Sequence, residues 1–201
     1  MIAILDYGAG NLRSVENTLA AIGAKYELVR DAAGLGRAEK IILPGVGHFG
    51  QLLRSLDALD VRRTLRERLL DGIPFLGICL GMQALFERSE EAPELDGLGL
   101  YPGEVRRFDA ALRVPQMGWN RLAPQGRPRL LGGIGEEPYV YFANSYHVPA
   151  ETAGARAAAL CDYGGTSFAA AIEDGSVFGV QFHPEKSGTM GQRIVRNFLE
   201  C

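Results

Sequence analysis

Pro74-Phe75-Leu76-Gly77-Ile78-Cys79-Leu80-Gly81-Met82-Gln83 is the stretch on which the fold turns. An apolar run from Ile73 to Ile78 enters it with the continuity of a buried parallel strand, and a helix-like pattern over about 80–87 leaves it. A lone cysteine stands at the junction, two residues from a glycine on either side. In open α/β sheets ligands gather at the carboxyl ends of the strands, so G-x-C-x-G at such an end is a thiol version of the nucleophile elbow. Flanking glycines let neighbouring backbone approach without a Cβ clash. The cysteine then sits at a helix N-terminus, whose dipole favours thiolate over thiol. The N–H groups that follow, beginning with Leu80, are free to bond a developing oxyanion. Taken alone the pentapeptide also fits a buried, inert cysteine in a loosened turn; a base separates the two.

Three histidines are available. His183 ends the strand-like run Val177–Phe182 and precedes Pro184 and Glu185. Proline disfavours the helical region for the residue before it, so His183 is expected to be extended, with Glu185 projecting to the same side. The carboxylate can then hold one ring nitrogen and leave the other for a thiol. His48 follows Pro44-Gly45-Val46-Gly47 beside a helix start and is an alternative base, but it has no comparable carboxylate. His147, in Tyr141-Phe142-Ala143-Asn144-Ser145-Tyr146-His147, is expected to help shape a loop. The glycines of the PGVG turn permit unusual peptide orientations ahead of a helix N-terminus. A second oxyanion donor there and an ordinary strand-to-helix turn both fit.

Outward from the elbow, the first half of the chain alternates. Ile2–Leu5, Tyr26–Val29 and Ile41–Leu43 read as strands. Leu12, Val15, Leu19 and Ile22, then Phe49, Leu52, Leu53 and Leu56, then residues 61–70, read as helices. This implies a mostly parallel sheet covered on both faces. Between 100 and 182 the strand candidates are short: Val105–Phe108, Tyr139–Ala143, Ala155–Leu160, Phe168–Ile172 and Val177–Phe182. Turn residues between them, Glu173-Asp174-Gly175-Ser176 among them, favour antiparallel hairpins. A helix carrying Ile194, Val195, Phe198 and Leu199 follows. The whole is expected to form one α/β domain over residues 1–201, with a mixed sheet.

The chain has 201 residues, 47% hydrophobic and 22% charged, enough for a substantial core. A net charge of −3 gives no reason to expect nucleic acid or an anionic membrane as partner. The locally basic Arg62–Arg68 stretch shows Val61, Leu65 and Leu69 at helical spacing, so its arginines are expected to form a solvated face. Three cysteines, Cys79, Cys161 and Cys201, have no paired spacing, which argues for a reducing compartment. The first residues carry no basic leader, and no apolar run is long enough to cross a bilayer. A soluble, cytoplasmic protein is expected. Gly8 and Gly10 do not open a dinucleotide fingerprint, because the third glycine would fall at Arg13. No Cys/His cluster has metal-ligand spacing, so neither a metal nor another cofactor is expected.

The elbow GICLGMQ, the PGVG turn and FHPE near the end together resemble the class I, triad-type glutamine amidotransferases. DYGAGNLRSV, PGVGHFG, PQMGWN, YFANSYHV and FHPEKSG narrow the resemblance to the glutaminase subunits of imidazole glycerol phosphate synthases of histidine biosynthesis, over residues 2 to about 198. The resemblance implies a class I amidotransferase-like α/β fold: a central, mostly parallel mixed sheet flanked by helices, with an antiparallel C-terminal portion. It implies Cys79 as nucleophile, His183 as general base and then acid, and Glu185 as its orienting partner. Leu80 and Val46 match oxyanion-hole positions, and Gly47, Gln83 and the Ser145–Tyr146 backbone match positions that hold the polar ends of L-glutamine. Asn11, Trp119, Asn120, Tyr141 and Lys186 match segments near a partner, a separate (β/α)8 cyclase subunit that receives ammonia in a heterodimer.

The chemistry so implied is hydrolysis of glutamine through a glutamyl thioester. Because losing one oxyanion donor can cost about 10²–10³ in rate, the PGVG turn is expected to act as a switch, its N–H turned away until the partner is present. The alternatives are the glutaminase of another synthase, such as that of pyridoxal phosphate, a hydrolase of the intracellular peptidase type, and a non-catalytic subunit of the same fold. The peptidase type carries a histidine directly after the nucleophile, where this chain has Leu80.

Overall fold

Residue alternation along the first strands settles the layers. The computed structural model describes residues 1–201, and the first half contains β1 (Ile2–Leu5), α1 (Leu12–Ala21), β2 (Tyr26–Val29), α2 (Ala32–Arg37), β3 (Lys40–Gly45), α3 (Phe49–Ala58), α4 (Arg62–Leu70), β4 (Phe75–Cys79) and α5 (Leu80–Gln83). Side chains of a strand point alternately to opposite faces. Ala3, Leu5, Ile41, Leu43 and Phe75 accordingly enter one buried cluster with Phe49, Leu52, Leu53, Leu56, Val61, Leu65 and Leu69 of the α3–α4 region. Ile4, Ile42, Leu76 and Ile78 enter the other with Val15 and Leu19 of α1. Both faces of the sheet are therefore buried, which is why these strands read as unbroken apolar runs.

The second half adds β5 (Phe86–Ser89), β6 (Tyr101–Arg107), β7 (Gln116–Arg121), β8 (Ala123–Pro124), β9 (Tyr139–Asn144), β10 (Tyr146–His147), α6 (Ala150–Ala153), β11 (Ala157–Tyr163), β12 (Thr166–Asp174), β13 (Val177–Val180) and α7 (Gly188–Glu200). The main sheet has eight strands in the order β2-β1-β3-β4-β13-β12-β11-β8. From β2 to β13 the pairings are parallel, and from β13 to β8 they are antiparallel. The expected hairpins form. Gly164 and Gly165, at φ 60° and 85°, join β11 to β12, and Gly175, at φ 57°, with Ser176 joins β12 to β13. Positive φ at such positions matches the twist of two-residue hairpin loops. No helix is long and apolar enough to cross a membrane.

Several expectations are corrected. The helix after Cys79 spans only Leu80–Gln83, not residues 80–87, and the chain re-enters a strand at Phe86. Phe86 is wholly buried and its strand pairs in parallel with β6, so long-range packing overrides the helical spacing. The strand expected at 155–160 begins two residues later and runs to Tyr163, because Gly154–Arg156 forms a 3-10 turn. α2 was not read from the sequence: two of its six residues are glycines, poor helix formers, and Asp31 compensates by accepting a hydrogen bond from Gly34 N–H at 2.7 Å. β7 also escaped, because its large apolar residues, Met117 and Trp119, face outward. The Arg62–Arg68 arginines are not merely solvated. Arg62 bonds the carbonyls of Asp96 and Gly97, Arg66 that of Leu98 and Arg68 that of Ala38, tying α4 to two loops.

Four glycines seat the short helix α5 on the sheet. A Cβ on Gly81 would lie 2.0 Å from the Leu43 carbonyl oxygen, one on Gly77 2.5 Å from that of Gly81, one on Gly45 2.5 Å from Leu80 Cβ, and one on Gly179 2.5 Å from the Met82 side chain. Gly81→Ala is thus expected to cost about 2 kcal/mol or more in urea unfolding. Gly36→Ala, in α2 with open space around it, should leave stability unchanged or slightly raised.

Candidate active site

The carboxyl ends of β1, β3, β4 and β13 lie side by side, and each delivers one part of a site. β4 ends in Cys79, whose backbone stands at φ 54° and ψ −108°. That conformation is costly for a residue with a Cβ, on the order of 1–3 kcal/mol, and it is the strained turn that projects an elbow side chain. Pairing of Gly45 with Cys79 in the β3–β4 ladder sets Val46 and Gly47, the latter at φ 96°, beside the elbow. β13 pairs in register with β4 up to Val180 opposite Ile78, so the chain emerging from β13 brings His183 to the sulfur.

His183 and Cys79 line the same cavity and lie close enough to perturb one another. His183 Nδ1–H donates to Glu185 Oε1 at 2.8 Å, which leaves Nε2 as the ring nitrogen free for a thiol. His183 is extended, as expected, but Glu185 lies in the 3-10 turn Pro184–Lys186 instead of an extended segment; the turn supplies the contact. Ser187 fixes that turn: its hydroxyl donates to the His183 carbonyl at 2.7 Å and accepts from Tyr141 N–H at 3.0 Å. The His183 N–H also bonds the Tyr141 carbonyl at 2.8 Å. Burial works against a charged imidazole here. The neighbouring Cys79 and Glu185 outweigh it and push His183 up to about 10, which favours the charged imidazole.

Three contributors were missed in the sequence. Gln181 is fully buried, and its Nε2 donates to Cys79 Sγ at 3.4 Å. It stands two residues before His183, so the same-side rule that linked His183 to Glu185 would have found it. Gln83 Nε2 bonds Gln181 Oε1 at 2.8 Å and the Tyr146 carbonyl at 2.9 Å, forming an amide chain that ends on the sulfur. Tyr7, from the loop after β1, is the second: burial first, then the charge of Cys79, raises its phenol to about 12, opposed by the nearby Val46 N–H. That N–H does not complete a hydrogen bond, and the phenolic oxygen has no partner. Glu91 is the third, its Oε2 accepting from Phe49 N–H at 2.7 Å. No local motif marks it.

These groups surround a cavity of about 280 Å³ lined by Val46, Gly47, Cys79, Leu80, Gln83, Glu91, Ala143, Asn144, Ser145, Tyr146, His183 and Lys186. The expected residues Val46, Gly47, Leu80, Gln83, Ser145 and Tyr146 all line it. The buried Gln83 Oε1 and Asn144 Oδ1 lack partners, and the Glu91 carboxylate supplies the cavity lining with an acceptor suited to an ammonium group. Of the residues expected near a partner, Trp119 and Tyr141 pack edge to face at 6.2 Å and Lys186 lies over the Tyr141 ring at 5.6 Å. Asn120 is on the opposite face of β7, where it accepts a hydrogen bond from Gln116 Nε2 at 3.0 Å. Asn11 instead donates to Glu185 Oε1 at 3.2 Å.

The family model described as glutamine amidotransferase class-I matches residues 3–201. The chain belongs to the class I glutamine amidotransferases. Among curated members, it is 46% identical over 200 residues to the imidazole glycerol phosphate synthase subunit HisH of Methanothermobacter thermautotrophicus, covering 100% of this chain and 98% of that protein. It is 44% identical over 198 residues to the protein of the same name from Bacillus cereus, covering 98% and 93%. In fold it is similar to a solved glutamine amidotransferase, with a TM-score of 0.77 at 23% identity, covering 99% and 97% of the two chains. It is also similar to a chain of PurLQS from Thermotoga maritima, with a TM-score of 0.75 at 20% identity and the same coverage. The expected amidotransferase fold, a large mixed sheet flanked by helices, is the one observed.

The other two histidines do different work in this amidotransferase. His48 is exposed and its Nδ1 accepts the Gly50 N–H at 3.1 Å, capping α3. His147 belongs to β10 instead of a loop, and its buried ring stacks on Phe108 with ring centres 4.4 Å apart. Burial holds its imidazole down at about 4. The unfolded chain protonates this histidine near pH 6.5 and the folded chain resists until about pH 4, so the stability it contributes is present above 6.5 and lost as pH falls through that window. His147→Phe is expected to flatten the decline of the urea midpoint between pH 7 and pH 5; a wild-type slope in the variant would contradict this.

Proposed function

We propose that this chain is the glutaminase subunit of an imidazole glycerol phosphate synthase, with Cys79, His183 and Glu185 as its catalytic triad. The observation that carries the proposal is the hydrogen-bonded His183–Glu185 pair and Cys79 meeting at one cavity sized for one amino acid. Its volume is at the small end of ligand sites, about 300–1,000 Å³, which favours free L-glutamine over a peptide.

The Cys79 thiolate attacks the side-chain amide carbon of glutamine. The tetrahedral oxyanion takes the N–H of Leu80, at the start of α5, and that of Val46 from the PGVG turn. His183 Nε2–H protonates the departing nitrogen, and ammonia leaves behind a glutamyl thioester. The now neutral imidazole draws a proton from water, which attacks the thioester and releases glutamate. Gln181 donates to the sulfur and favours the thiolate; Glu185 holds the ring and balances the imidazolium. Glu91 receives the α-ammonium, while Gly47, Gln83, Asn144, Lys186 and the Ser145–Tyr146 segment complete the binding of the polar ends.

The ammonia has to stay neutral to be of use, so the product passes directly to an acceptor. The synthase names of the relatives support a partner subunit, and we take it to be a (β/α)8 cyclase that uses ammonia to form imidazole glycerol phosphate and aminoimidazole carboxamide ribonucleotide. The two would form a heterodimer in the cytoplasm, in keeping with three free cysteines. Residues 1–201 would act as one amidotransferase domain. The Trp119–Tyr141–Lys186 face, with Trp119 54% exposed, is the proposed docking surface, joined by Asn11, whereas Asn120 lies on the other face of β7.

Cys79→Ala is expected to abolish glutamine-dependent synthesis by the assembled pair and to spare synthesis from ammonium salts. Persistence of glutamine-dependent turnover in that variant would overturn the triad. If the PGVG peptide is the switch, glutaminase turnover of the free chain should lie about 10²–10³ below that of the complex; equal rates would refute it.

A further inference from the structure

The triad carboxylate is buried and thinly held. The Glu185 side chain is 2% exposed. Its Oε2 has no hydrogen-bond partner, and its two bonds both fall on Oε1, from His183 Nδ1 and from Asn11 Nδ2. Unpartnered buried carboxylate oxygens are expensive, so the orientation of Glu185 depends on those two donors, and Asn11 is the one that takes no part in proton transfer.

Asn11 is unusual on its own account. It stands at the N-cap of α1, where asparagine ordinarily accepts a helix N–H, yet its side chain makes no such capping bond. Its Oδ1 accepts the Ser14 hydroxyl at 3.0 Å, which turns Nδ2 toward Glu185. A carboxylate only accepts, so the amide has to present its nitrogen. The backbone sits in the left-handed region at φ 54° and ψ 36°, a conformation asparagine tolerates better than most residues. Gly10, just before it at φ 109°, packs against Pro44, so the same loop is wedged between the PGVG turn and the triad.

We propose that Asn11 is a positioning residue of the glutaminase reaction, acting through Glu185 to set how strongly His183 holds its proton. This rests on the proposed glutaminase reading and goes beyond the docking role given to Asn11 there. The amide directs the positive end of its dipole at the carboxylate and so tempers the negative field that Glu185 exerts on the imidazolium. Without it, Glu185 has one restraint instead of two, and the imidazolium is stabilised further. The titratable groups around His183 are Cys79 on β4, Glu185 and Lys186 on its own turn, and Glu91 of the cavity lining; Tyr7 reaches Cys79 from the loop after β1.

The test uses Asn11→Gly, which keeps the left-handed backbone and removes the amide, and Asn11→Asp, which keeps the shape and replaces the donor with an acceptor. Glutaminase kinetics would be measured across pH with saturating cyclase subunit, together with affinity for that subunit. In both variants kcat is expected to fall roughly ten-fold or more, the scale seen when outer partners of functional groups are removed, with KM within about two-fold. The alkaline limb of the kcat profile should move upward, further in Asn11→Asp. A purely structural role would not move that limb, and a purely docking role would weaken affinity and leave kcat at saturation unchanged. Either result overturns the proposal. Retention of turnover by Cys79→Ala would instead bring down the glutaminase reading itself, so the two failures are distinguishable.

Discussion

The parallel ladder of β3, β4 and β13 is the constraint from which the site follows. Pairing of Gly45 with Cys79, and of Val180 with Ile78, brings three distant segments to one rim of the sheet in fixed register. A one-residue slip in either pairing would turn the emerging chain to the wrong face. The ladder is held by burial on both faces and by close backbone contact. Gly45, Gly77, Gly81 and Gly179 leave no room for a Cβ between the sheet and the elbow helix. The glycines around the cysteine therefore let the helix sit close enough to aim its first N–H groups into the cavity.

That rim is largely buried, and its polar groups have partners: Gln181 on the sulfur, Glu185 on the ring, and Gln83 and Asn11 behind those. Buried polar groups are stabilising only when satisfied. Tyr7 Oη, Glu185 Oε2, Gln83 Oε1 and Asn144 Oδ1 stay unpartnered around that rim.

The legible parts of the sequence were those with strong local physics. The buried strands β1 to β4, the stripes of α1, α3 and α4 and the two glycine-turned hairpins follow from periodicity and turn chemistry. So did the pairing of His183 with Glu185, because only His183 has a carboxylate two residues away. Local spacing misled where long-range contacts decided. Phe86 left the helical pattern to pair with β6, His147 moved from loop to core, and the arginines of α4 found carbonyls on other segments.

Residue order alone determined the α/β class, the elbow cysteine and the His-Pro-Glu turn, because each is written in a few neighbouring residues whose backbone preferences are intrinsic. Glu91, Gln181, Tyr7 and the bond from Asn11 to Glu185 were decided only by the tertiary structure. Those contacts join positions far apart in the chain, and no local preference encodes which strand ends will stand side by side. The order of strands in the sheet does that, and it is set by the packing of the whole core.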